Sequence, residues 1–319
     1  ADLFEDLHHI GGRGGLVLGH IYNFLKELKP YDFPNSKRVR LGSDGDGGYV
    51  LLNKGLENIE VVYSYGVETN SDFEVMFCEK YNATAQLYDH TVDGAPLQKN
   101  FLRFKKEGVG SKKTTHQNTI ENHINQNGDS NKRLILKMDV EGAEWDTLFH
   151  IPNAILGLFE QIVVEVHDLH SVPPNYDGKN LSKLTIEKRT NVLKKINSLF
   201  YLYHVHANNY APLYYIGRFK LPNVMELTFV NKKYFKSAEY SKVIFPTEFD
   251  RPCYKIRKDI NLHFWPFYPN LTQHISHMVS QVGWGGRWRE VIGLLYKHFE
   301  SKWKSVMITM KLRRPTSYS

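Results

Sequence analysis

Apolar positions along the chain follow two periods. Ile21, Phe24, Leu25 and Leu28 recur at helical spacing, and Pro30 and Pro34 then end that helix. From residue 59 to 230, short apolar runs follow one another at Ile59–Tyr65, Ala83–Tyr88, Phe101–Lys106, Arg133–Met138, Gln161–Val166, Tyr201–Val205 and Val224–Val230. Helical stretches lie between them. Ser71–Lys80 has Ser71 as its N-cap, Thr115–Asn125 is a weaker pattern, and Lys183–Leu199 sets Ile186, Val192, Leu193, Ile196 and Leu199 on one face. Strands separated by helix-length segments need parallel crossovers, so the pattern predicts an α/β, Rossmann-like, mostly parallel sheet flanked by helices, with the last two strands antiparallel. Ahead of the sheet, four glycines between Gly42 and Gly48 make a turn that leads into an apolar strand, Tyr49–Leu52.

The pattern changes after residue 231. Residues 245–285 are rich in Pro, Trp, Phe and His, and Trp288, Val291, Ile292, Leu295, Phe299, Trp303 and Val306 then form a helical stripe. This divides the chain into a helical lead-in (1–37), a main domain (38–231) and an aromatic, basic carboxyl-terminal extension (232–319) expected to pack on it. Residues 297–319 hold six Lys and Arg against Glu300 alone. That charge suits a solvated terminal helix, with contact to a membrane surface as the sharper alternative.

Net charge is +7 over 319 residues, and outside this tail it is nearly balanced, which argues against a nucleic-acid groove. Aromatics at 13% exclude wholesale disorder. Cys78 and Cys253 are too few for a disulfide framework or a cysteine-based zinc fold, and they either pair or stay as buried thiols. No run of 18 apolar residues is present to span a membrane. The first residue is Ala rather than Met, as in a trimmed chain, and sequons stand at Asn82, Asn180 and Asn270. Together they favour the secretory pathway, in the Golgi lumen, with the cytoplasm as the alternative.

Ligands of open α/β sheets bind beyond the carboxyl ends of the strands. The polar residues expected there are Tyr65, Gly66 and Glu68, then Asp89 and His90, Gly108 to Gly110, Asp139 and Glu141, Glu165, His167 and Asp168, and His204, His206, Asn208 and Asn209. An acid ending the second strand can accept both hydroxyls of a ribose, and Gly66 allows close backbone approach. No G-x-G-x-x-G follows the first strand and no phosphate-loop motif exists, which weakens an oxidoreductase or nucleotide-hydrolase reading. Glu165 and His167 share one strand face beside Asp139, a set able to hold a divalent cation. His167 or His206 can serve as a base, since imidazole titrates near neutral pH. His204 and His206 also form a potential metal pair on one strand. His8, His9, His274 and His277 lack such a setting.

Leu136-Lys-Met-Asp-Val-Glu-Gly-Ala-Glu144 resembles the signature of FkbM-type methyltransferases, class I enzymes that use S-adenosylmethionine. Asp46-Gly-Gly-Tyr-Val50, Val164-Glu-Val-His167, His206-Ala-Asn-Asn-Tyr210 and Pro222-Asn-Val-Met-Glu-Leu-Thr228 resemble the same group, over residues 38–231. The resemblance implies a seven-stranded sheet with S-adenosylmethionine over its first strands. Gly66 would lie under the methionine part with Tyr65 beside it, Asp89 and His90 at the ribose, Val109 and Gly110 near the adenine, and Asp139 at the methyl-transfer face. It also implies O-methylation, often of a sugar hydroxyl, with magnesium or manganese at Asp139, Glu165 and His167. Glu141, Asn208, Asn209 and Tyr210 would meet a carbohydrate acceptor, and Phe264, Trp265, Phe267 and Tyr268 offer rings to stack on it. One departure is the segment Tyr65-Gly66-Val-Glu-Thr-Asn70, which carries a single glycine where many relatives have a richer loop. A small natural product or lipid acceptor, and a non-catalytic glycan-binding relative, are the competing expectations.

Overall fold

The structure, a computed structural model, describes residues 13–169, 185–216, 219–235 and 237–268. The chain divides into two compact units, Ala1–Tyr268 and Pro269–Ser319, and every described residue belongs to the first. The aromatic stripe and basic tail expected after residue 285, two of the sequons (Asn180 and Asn270), and His8, His9, His274 and His277 lie outside the described residues.

Helix α1 spans Arg13–Lys26. Ile21, Phe24, Leu25 and Leu28, the four positions at helical spacing, are all fully buried. A short strand β1 (Tyr31–Asp32) leads to β2 (Arg38–Gly42) and β3 (Gly48–Leu52). These last two form an antiparallel hairpin, not part of the main sheet. Every residue of β3 is buried because the hairpin lies on the sheet: the Gln161 amide exchanges hydrogen bonds with the Leu52 backbone, and the Thr228 hydroxyl donates to the Val50 carbonyl.

Next come β4 (Val61–Tyr65), α2 (Asp72–Tyr81), β5 (Thr84–Tyr88), β6 (Leu102–Lys105), β7 (Gly108–Val109), β8 (Gln117–Asn118) and α3 (Ile120–Asn127). Ser71 stands at the N-cap of α2, but its hydroxyl caps nothing, and the Asn70 side chain takes the Asp72 N–H instead. The helix expected from Thr115 begins only at Ile120, where Thr119 caps the Asn122 N–H, because the residues before it pair as β8 with β7. Then follow β9 (Leu134–Met138), α4 (Glu144–His150), α5 (Asn153–Leu156), β10 (Phe159–Val166), α6 (Ile186–Leu199), β11 (Phe200–Ala207), the hairpin β12–β13 (Leu213–Ile216 and Phe219–Pro222), β14 (Met225–Asn231) and β15 (Glu239–Tyr240).

The main sheet has seven strands in the order β11-β14-β10-β9-β4-β5-β6. The pairs β10/β9, β9/β4, β4/β5 and β5/β6 are parallel, and β14 runs antiparallel to both its neighbours. This is a Rossmann-like arrangement. The strand order turns back between β4 and β9, and the crevice of such a sheet opens at that switch point. Alternation gives the sheet two faces. Val61, Tyr63, Leu134, Leu136, Ile162 and Val164 pack with the buried residues of α1, α3, α4 and α6. Val62, Ala85, Leu87, Ile135 and Val163 pack with Phe73 and Phe77 of α2 and with Leu41, Tyr49 and Leu51 of the hairpin. Cys78 and Cys253 are both free, buried thiols. Among the described residues no helix is long and apolar enough to cross a membrane.

Candidate active site

The second face changes character at the carboxyl rim. Glu165 of β10 sits opposite Glu226 of β14, and Glu226 opposite His206 of β11. Val164 pairs with Met138, so Asp139 and Glu165 both follow one step on. Asp139, Glu165, Glu226 and His206 therefore form one row across four adjacent strands. Glu165, Glu226 and His206 are buried.

The turn after β9 explains the Leu136–Glu144 string physically. Glu144 is fully buried, and its carboxylate accepts the N–H groups of Val140 and Gly142. Glu141 and Gly142 adopt the left-handed region at φ 53° and 106° to let the chain wrap around it. Glu68 (40°), Glu141 (53°) and Asp168 (57°) are all left-handed, one beyond each of β4, β9 and β10. Such backbone strain in non-glycine residues concentrates at functional rims.

His167 lies among carboxylates. Its Nδ1 is 2.9 Å from Glu144, and its Nε2 is 3.3 Å from Glu141 and 3.4 Å from Glu165. Burial opposes its charge, but Glu144 and Glu165 outweigh it and raise its pKa to about 11. His206 is held in the same way between Glu226 (2.9 Å) and Asp259 (3.0 Å), so it too is raised well above its ordinary value despite burial. An imidazolium accepts no proton, so neither histidine fits the role of base expected for it. His204 bonds instead to Asp250 at 2.7 Å, so the two strand histidines serve different acids rather than one metal. The carboxylates are raised as well, which for an acid favours the neutral form. Burial and the Asp139 and Glu226 charges raise Glu165 to about 8, against His167. Asp139 is also raised, chiefly by burial, with Lys137 and His167 opposing. Its Oδ2 lies 3.4 Å from the Tyr49 hydroxyl, and its Oδ1 is buried without a partner.

The expected cofactor residues divide. Gly66 (φ 77°) does sit at the switch point, but a Cβ there would come 1.6 Å from the Asp139 carbonyl oxygen. Its close approach is to the neighbouring strand end, not to an open cradle. Tyr65 turns its ring to the opposite face, where its hydroxyl meets His123 Nδ1 at 3.1 Å while His123 Nε2 reaches Glu107 at 3.0 Å. The Asp89 carboxylate accepts from the N–H groups of Val67, Glu68 and Thr91 and from the Thr91 hydroxyl. Those donors hold its pKa below the carboxylate range against burial. They fill the four acceptor positions of a carboxylate, so a ribose is received only if the Thr91 hydroxyl gives way. His90 is exposed beside Gly108, Val109 is buried in the β7–β8 pair, and the Gln117 side chain covers Gly110.

The expected acceptor residues divide likewise. Glu141 is largely exposed, and Asn208 donates to Glu165 at 3.0 Å. Asn209 is engaged within the protein: its amide donates to the carbonyls of Tyr254, Arg257 and Lys258 and its oxygen accepts the Tyr254 N–H. Tyr210 is exposed, with its ring 4.7 Å from that of Tyr254. Trp265 stacks on Tyr22, and Phe264 meets Phe267 edge to face, within the protein. Trp265 borders a cavity of about 600 Å³ lined also by Lys26, Lys29 and Lys232, near the opposite ends of the strands.

The sequence reading gave no role at the site to Glu226, Asp46, Lys137 and Tyr49, although each lies in one of the quoted strings, or to Cys253. Glu226 carried a signal, as a lone acid between Met225 and Leu227 in an apolar strand. No family model matches this chain, and no curated protein matches it. The expected metal trio of Asp139, Glu165 and His167 is split as well. Among the described residues Asp139 groups with Glu141 and His167, whereas Glu165 groups with Asp46 and Glu226.

Proposed function

We propose that the protein is an S-adenosylmethionine-dependent O-methyltransferase acting on a carbohydrate hydroxyl. The observation that carries the reading is the row Asp139–Glu165–Glu226–His206 at the carboxyl rim, beginning at the switch point between β4 and β9. A resemblance to FkbM-type enzymes in five short strings supports it, as does the seven-stranded sheet that this resemblance implies.

When bound, S-adenosylmethionine supplies an electrophilic methyl group on sulfur. The chain's own residues must hold the acceptor oxygen in line and take its proton. Asp139 is the proton acceptor in this proposal, because it has a raised pKa and an unpaired oxygen. Glu165, steadied by Asn208, and the exposed ring of Tyr210, backed by the half-buried ring of Tyr254, orient the sugar. His167 and His206 act as fixed positive charges that offset the repulsion among the carboxylates. Those same carboxylates meet hydroxyl hydrogens well, so the rim suits a polyhydroxylated acceptor better than an apolar lipid.

Calorimetric titration with S-adenosylhomocysteine tests the reading. We expect one site per chain, and no heat at millimolar ligand overturns it. Asp139→Asn should keep that binding and lower methyl transfer to a glycan panel by about 10²–10⁴-fold, the usual size of a lost acid–base group.

A further inference from the structure

We propose that a divalent cation binds between Asp46, Glu165 and Glu226 and ties the glycine-rich turn to the rim of the sheet. This deepens the reading above by naming a metal at the same rim, yet it stands on the carboxylates alone. One oxygen from each of the three residues lies within 4.8 Å of the others. A hard cation with oxygen ligands at about 2.0–2.6 Å bridges such gaps. Glu165 and Glu226 are buried. Glu165 Oε1 accepts from Asn208 and faces His167, but Oε2 is buried with no partner. A buried carboxylate oxygen left bare is costly, and like charges this close repel one another.

The neighbouring cations are each shared with groups outside the trio. Lys137 donates to the Gly66 carbonyl, His167 serves Glu144 and Glu141 as well as Glu165, and His206 serves Asp259 as well as Glu226. Asp46 is exposed, on a turn whose Gly47 takes φ 76°, and of its oxygens Oδ1 accepts from the Gly47 N–H. An all-carboxylate set selects magnesium, calcium or manganese over softer metals. Glu226 Oε2 also meets His206 and Oε1 the Cys253 thiol, so a cation takes a remaining lone pair of Glu226; the adjoining group of His206, Glu226 and Cys253 brings a single carboxylate against the three of this site.

The test is titration of the chelator-treated full chain with Mn²⁺ at pH 7.5, following free Mn²⁺ by electron paramagnetic resonance, with Mg²⁺ and Ca²⁺ as competitors. One ion should bind with a dissociation constant below about 1 mM. Asp46→Asn and Glu226→Gln should each weaken it about tenfold or more, and Asp44→Asn, on the same turn, should not. Asp46 is exposed, so its variant is expected to fold even if the buried one does not, and circular dichroism of the metal-free proteins checks this. No binding at about 10 mM Mn²⁺ overturns the site, as a proton shared among the carboxylates would then replace the metal. Binding unaffected by Asp46→Asn overturns it too. Mn²⁺ binding without S-adenosylhomocysteine binding would keep this site and remove the cofactor reading; the reverse would remove this site alone.

Discussion

Gly66 and Asp139 form one steric unit. The Asp139 N–H bonds the Tyr65 carbonyl, and the Gly66 α-carbon faces the Asp139 carbonyl where no Cβ fits. Close packing of these two strand ends aims the Asp139 carboxylate along the rim. Gly66→Ala would add both a clash and a left-handed alanine, a cost of roughly 3 kcal/mol or more. Urea unfolding should show the lowered midpoint, and an unchanged midpoint would mean that the two strand ends lie further apart than described. His167 and His206 share a second residue-scale feature: both sit among acids, and those acids outweigh burial in setting their charge.

At the scale of elements, caps differ in ways the sequence alone disguises. Thr119 caps α3 and Thr185 caps α6 through their hydroxyls, whereas the Ser71 hydroxyl at the start of α2 is buried without a partner. Thr119→Ala and Thr185→Ala should each cost about 1 kcal/mol. Ser71→Ala should be neutral or slightly stabilising, since it removes an unsatisfied polar group. Chemical denaturation of the three variants side by side separates these outcomes. The hairpin β2–β3 is the other instructive element. It reads as an apolar strand, yet it covers the sheet face instead of extending the sheet, and so brings Tyr49 and Asp46 to the rim.

For the whole molecule, buried imidazoles on opposite faces give stability opposing pH dependences. Burial lowers His123 to about 4 from 6.5, against Glu107. The unfolded chain then binds the extra proton between those values, so this contribution is present above pH 6.5 and lost as the pH falls to 4, about 3 kcal/mol in all. His167, raised to about 11, works the other way: its contribution is complete below pH 6.5 and is lost as the pH rises through 11. Glu165 adds to the alkaline loss between about 4.5 and 8, and so opposes His123 on the acid side. Comparing unfolding free energies of the parent and His123→Gln from pH 4 to 7, in chelator, isolates the His123 contribution. The two curves should converge toward pH 4, and a constant gap would show that His123 is not neutral in the fold.

The alternation of apolar runs with helical stretches determined the α/β sheet, because burying one strand face or helix stripe is a local demand written in local spacing. It also placed Asp139, Glu165 and His206 at strand ends, since a strand stops where its apolar run stops. Spacing could not tell that β14 would insert between β10 and β11, because pairing partners are chosen by long-range packing. That insertion is what sets Glu226 beside Glu165 and His206. Nor could it show that Asp89 would be filled by Thr91, that Asn209 would hold residues 254–258, or that His167 would stay protonated among three acids. Those outcomes depend on which groups meet after burial, and burial in a shared low-dielectric space arises only when the tertiary structure closes.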